Sequence, residues 1–184
     1  MKTKKTVLTL TQTALLTAVL IGWQVGSAPL GNQILTGSGV NMILVITVMV
    51  CGTAPGLCVA AVSPAVAFLF GLGPKFPVLL PFIVAGNVLL VLTWRFVGNI
   101  KPPEVWRVIA LLSAASVKCA FLWLCAAKLA IPLLIPQAPP AISAMFSFPQ
   151  FVTASIGGAF ALSVIPALKK ADVSSARSYG GEKR

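Results

Sequence analysis

Six apolar stretches, separated by short basic or glycine- and proline-rich segments, account for most of this chain, and they restrict it to a bundle of membrane helices. They lie at about residues 7–24, 40–51, 54–70, 77–96, 105–130 and 142–168. A full crossing takes about 20 apolar residues, so the second stretch is short unless the polar segment before it extends it. Hydrophobic residues make up 58% of the chain and charged residues 9%, with a mean hydropathy of +0.97. A soluble chain of this size needs far more polar surface. The expectation is an all-α integral membrane protein of one domain, a six-transmembrane-helix bundle, with residues 171–184 as a flexible tail.

The net charge of +11 does not point to nucleic acid, because the basic residues form no arginine-rich stripe with interleaved aromatics. Their distribution follows membrane topology instead. With the N-terminus inside, Lys2, Lys4, Lys5, Arg95, Lys101, Arg107, Lys169, Lys170, Arg177, Lys183 and Arg184 fall on the cytoplasmic side, and Lys75 alone falls outside. That asymmetry favours six spans with both termini cytoplasmic. The basic start and Gly26-Ser27-Ala28 also suit a cleaved signal sequence. The length of the apolar run, with Gln12 and Gln24 inside it, favours a retained span.

Lys118 and Lys128 lie within the fifth stretch, with no acidic residue or histidine near them in sequence. An ammonium at bilayer depth costs about 2.5–3.5 kcal/mol on insertion scales, so it snorkels, pairs, or faces a polar cavity. At about 1.5 Å per residue, Lys118 is roughly 20 Å from the cytoplasmic start of the span and Lys128 roughly 35 Å. At about 100° per residue, Ala114, Lys118, Phe121, Cys125 and Lys128 share an arc of about 80°, with Trp123 turned about 140° from Lys118. That face suits an outward-opening pocket for an organic anion, or packing against a neighbouring helix. Lys128 can also snorkel to the outer interface.

Further polar groups cluster toward the same side. Residues 26–41 are uncharged and rich in Gly, Asn, Gln, Ser and Thr, and read as a long outer loop. Asn32, Gln33, Thr36, Ser38 and Asn41 can hydrogen-bond a small polar ligand or belong to a plain surface loop, and the glycines of this segment permit close approach or a moving lid. Asn87 in the fourth span and Gln150 in the sixth are each either an interhelical hydrogen bond or a pocket residue. Pro64 and Pro149 are expected to kink their helices, and Pro103 to start one. Trp23, Trp94 and Trp106 read as interfacial belt residues.

No catalytic motif appears. The chain has no histidine, no paired intramembrane carboxylates and no Walker A sequence, so neither catalysis nor ATP hydrolysis by this chain is expected. The acidic residues, Glu104, Asp172 and Glu182, all fall on the cytoplasmic side, which disfavours a lone proton-driven carrier. The cysteines, Cys51, Cys58, Cys119 and Cys125, have no metal-ligand spacing. No metal and no cofactor are expected.

Size, six spans and cytoplasmic termini combine with three local features: Ala14 and Ala18 as an A-x-x-x-A motif in the first helix, the stretch TGSGVNMIL (36–44), and SPAVAFLFG (63–71) followed by PFIVAGN (81–87). Together these resemble the substrate-binding (S) components of energy-coupling-factor (ECF) transporters over about residues 5–170. The resemblance implies a vitamin-binding subunit of an ABC-type importer in the bacterial cell membrane, with a pocket opening outward and a gating first loop. It implies partners as well: a transmembrane coupling protein meeting Ala14 and Ala18, and two ATPase subunits. By position, Gln33, Asn41, Asn87, Lys118, Lys128 and Gln150 become the substrate-binding candidates. The absence of acidic pocket residues favours an anionic or neutral cargo, such as a carboxylated vitamin or a phosphorylated flavin. The alternatives are a stand-alone secondary transporter or channel for a small organic anion, and an assembly or anchoring subunit that binds no small molecule.

Overall fold

The computed structural model describes residues 2–72, 76–98, 100 and 103–181. Of the residues used above for orientation, Lys75, Lys101, Glu182, Lys183 and Arg184 lie outside the described residues, as do the side chains of Lys2, Lys4, Lys5, Glu104, Lys169, Asp172 and Arg177. Among the described residues every regular element is helical. Five helical segments among the described residues are long and apolar enough to cross a membrane: Thr6–Leu30, Gln33–Val50, Pro77–Val97, Val105–Leu134 and Pro140–Leu168. The apolar helix Thr53–Leu69 is shorter, at 17 residues.

Helix α1 (Lys2–Ser27) passes through a 3₁₀ turn (Ala28–Leu30) into α2 (Gln33–Val50). The turn closes on Gly31, whose φ of 60° is costly for other residues. Asn32 then caps α2, its side chain accepting from the backbone N–H groups of Ile34 and Leu35. The long outer loop expected over 26–41 is therefore not found. Residues 33–41 are the first turns of α2, and the second apolar stretch reaches 18 helical residues by recruiting them.

Gly52, at φ 103°, separates α2 from α3 (Thr53–Leu69), which makes the third stretch the short one. Helix α4 (Leu80–Val97) follows a 3₁₀ turn at Pro77–Leu79. Helix α5 (Pro103–Phe121) starts at Pro103 as the sequence indicates, then continues without a break as a π-helix over Leu122–Ala130 and as α6 (Ile131–Leu134). Two helices take up the last stretch: α7 (Pro140–Met145) and α8 (Phe148–Gly181). Pro149 sits in the first turn of α8, where its missing N–H has no partner to lose, so it begins a helix and does not kink one. Helix α8 runs through most of the segment read as a tail.

The most extensive packing is between α2 and α8. It depends on Gly157, where an added Cβ would stand 2.4 Å from the Ser38 carbonyl oxygen and 2.7 Å from the Met42 nitrogen. Backbones this close require the smallest side chain. Trp94, expected at an interface, is 1% exposed and belongs to the core formed with Leu44, Val91 and Ala110. Trp23 lies against Gly39, donating from Nε1 to the Thr36 carbonyl at 3.3 Å. The Gly157 and Gly39 contacts hold α1, α2 and α8 together beside Asn41 and Thr153.

Candidate functional site

Lys118, in the last turn of α5, is 4% exposed. Its Nζ donates to Asn41 Oδ1 of α2 at 2.6 Å and to Asn87 Oδ1 of α4 at 2.7 Å. An ammonium only donates, so both amides are fixed with oxygen toward it and nitrogen away. Asn41 Nδ2 donates in turn to Thr153 Oγ1 of α8 at 3.2 Å, and Thr153 Oγ1 donates to the Gln150 carbonyl at 3.1 Å. One lysine thus ties α2, α4, α5 and α8 together. Hydrogen bonds to a charged group contribute about 1.5–3 kcal/mol each, comparable to the insertion cost of the ammonium. The amide oxygens solvate the charge; they do not neutralise it.

This cluster borders a cavity of about 360 Å³. The walls come from the C-terminal ends of α1 and α3, the N-terminal ends of α2, α4 and α8, and the Lys118–Leu122 turn. All of these lie at the end of the bundle opposite the start of α1. Gln33 and Gln150 line the cavity, and both donate from Nε2 to the Met145 carbonyl, at 3.1 and 3.0 Å. Phe68, Phe76 and Phe146 supply aromatic wall. Gln24 donates from Nε2 to the carbonyl and hydroxyl oxygens of Ser63 at 3.4 and 3.3 Å, while its buried Oε1 has no partner among the described residues.

Five of the six candidates read from the sequence, Gln33, Asn41, Asn87, Lys118 and Gln150, therefore meet at one cavity. Lys128 does not. It is exposed, and its Nζ sits 5.5 Å from the centre of the Trp123 ring. The cause is the π-helix: hydrogen bonds from i to i+5 widen the turn, so the face computed at 100° per residue no longer holds beyond Phe121. Trp123 and Lys128, five apart, come together, and Lys128 leaves the face of Lys118.

Comparison with family models, curated proteins and solved structures gives no match.

The cavity wall combines the Lys118 amine, several amide side chains and apolar groups. Among the described residues, no three His, Cys, Asp or Glu side chains gather to hold a metal. No disulfide joins the four cysteines, and Cys119 Sγ donates to the Ser147 carbonyl at 3.4 Å. The sequence reading missed Gln24, Ser63 and Thr153. A glutamine in an apolar span is a visible signal, although no pattern in the sequence pairs Gln24 with Ser63 or Thr153 with Asn41.

Proposed function

We propose that this chain is the substrate-binding subunit of an ECF-type importer, taking up a vitamin or related micronutrient that is anionic or neutral. The observation that carries the reading is the buried Lys118 at the edge of a ligand-sized cavity, held by neutral oxygens and lacking a carboxylate partner among the described residues. Pockets for small molecules are mostly apolar with a few placed polar groups, and this cavity has that composition. In this reading the chain crosses the bacterial cell membrane six times with both termini cytoplasmic, and the cavity opens outward. ATP is hydrolysed by two separate ATPase subunits. A transmembrane coupling protein docks on α1, where Ala14 and Ala18 are exposed.

The test is purification of the tagged chain from its native membrane in mild detergent, with mass spectrometry of proteins and small molecules. Two ATPases, a membrane coupling protein and a bound metabolite are the expected result. Recovery of the chain alone and empty would overturn the proposal, leaving a stand-alone transporter of a small organic anion, or an anchoring protein.

A further inference from the structure

We infer that the cavity selects an amphipathic monocarboxylate, its two acid oxygens received by Lys118 Nζ and Asn87 Nδ2 and its apolar body lying against Phe68, Phe76 and Phe146. This rests on the substrate-binding reading above and narrows it to one chemical class.

The first support is the state of each donor and acceptor around Lys118. The ammonium has three N–H groups, and two are spent on Asn41 Oδ1 and Asn87 Oδ1. Asn41 Nδ2 is spent on Thr153. The third N–H of Lys118 and the Nδ2 of Asn87 have no partner among the described residues. Both residues line the cavity. Because Asn87 Oδ1 touches Nζ at 2.7 Å, the nitrogen of the same planar amide lies close by, and two adjacent donors, one of them charged, remain at the cavity wall. Both amide oxygens there are already engaged. An ionised carboxylate, which only accepts and has two oxygens, complements this pair. A primary amide or an ammonium would set donor against donor.

Charge supplies the second support. Lys118 is the one ionisable group among the described residues that line the cavity, apart from neutral amides and hydroxyls. A carboxylate brings the local sum to zero. A phosphate monoester carries about −1.5 to −2 at neutral pH, leaving close to a full charge in a mostly apolar site, which is costly. At the rim, Gln33 and Gln150 spend Nε2 on Met145 and leave both Oε1 atoms without a partner among the described residues. These acceptors suit an N–H or O–H on the body of the acid.

The test begins with the small molecule that leaves the native membrane with the chain. It is extracted and identified by accurate mass and fragmentation. The extracted compound and its primary amide, made by coupling to ammonia, are then titrated into emptied wild-type protein and the Asn87→Asp variant. Asn87→Asp keeps the side-chain size and places a carboxylate beside Lys118, so the fold is retained, as the elution profile will show, while the acid is repelled. The expected results are a monocarboxylate, wild-type binding of the acid roughly 30-fold or more tighter than of the amide, and a similar loss of acid binding in Asn87→Asp, as for breaking a buried charge pair.

A bound phosphate ester, cation or uncharged molecule overturns the inference, as does equal binding of acid and amide, or unchanged acid affinity in Asn87→Asp. If any of these comes with the ATPases and coupling protein, the transport reading stands and the carboxylate falls. The same holds if those partners arrive with an empty chain. A chain recovered empty and alone removes both.

Discussion

Replacing Gly157 by alanine tests whether the close approach of α2 and α8 builds the site. The new Cβ would lie 2.4 Å from the Ser38 carbonyl oxygen, 2.7 Å from the Met42 nitrogen and 2.8 Å from Asn41 Cβ. Two of these are backbone atoms, so no rotamer change relieves the contact and the helices must separate by about 1 Å to reach ordinary van der Waals spacing. The 3.2 Å bond from Asn41 to Thr153 spans the same seam and would exceed the hydrogen-bonding limit. Overpacking of a core costs about 1–3 kcal/mol and the lost hydrogen bond about 1 kcal/mol. The sum, about 2–4 kcal/mol, corresponds to a fall of roughly 5–15 °C in apparent Tm for a chain of this size. Fluorescence-detected size exclusion after heating in detergent measures it. Two controls bracket the result. At Gly158 an added Cβ meets only side-chain atoms, of Trp94 and Leu111, at 3.1–3.3 Å, and Gly158→Ala should cost less. At Gly22 it meets nothing within 4 Å, and Gly22→Ala should stabilise α1 by up to about 1 kcal/mol. A Gly157→Ala protein as stable as wild type would refute the claim that this contact positions Asn41.

Three further outcomes are expected. Lys118→Ala removes the charge and leaves both amide oxygens without their donor; equilibrium dialysis with the extracted molecule should show binding weakened by roughly 30-fold or more. Lys128→Ala should leave that affinity unchanged and lower stability by no more than about 1 kcal/mol, the scale of an exposed cation–π contact; weaker binding would place Lys128 back in the site. Replacing both Ala14 and Ala18 by phenylalanine should abolish co-purification of a coupling protein while the small molecule is still retained, because the two residues are exposed on α1 and neither lines the cavity.

The apolar helices were legible because hydropathy reports burial in lipid and protein alike, and the start of α5 at Pro103 was legible because it has a backbone reason. The meeting of Lys118 with Asn41 and Asn87 was half legible. A lone ammonium in an apolar span demands partners, and two of the amides singled out are those partners. The first turns of α2 were not legible. Gly, Ser, Thr and Asn are poor helix formers, so residues 33–41 read as a loop. What overrides propensity is packing: Gly37 lies against Thr153, and Gly39 admits the Trp23 ring. The composition that suggested a flexible loop is the composition needed for helices to touch.

The π-helix was invisible for another reason, and it has a consequence for charge. A wheel drawn at about 100° per residue assumes one helix type throughout, and on it Lys118 and Lys128 share one face that suits an organic anion or packs against a neighbouring helix. Nine residues of wider turn over Leu122–Ala130 undo that arithmetic. They direct Leu122, Ala126, Ala127 and Ala130 inward and send Lys128 outward to the Trp123 ring. One cation is thereby removed from the site and one kept at its wall. The wide turns that follow α5 leave Lys118 as the single cation among the described residues of the cavity wall, and the proposed choice of a carboxylate over a phosphate ester rests on that change of helix type.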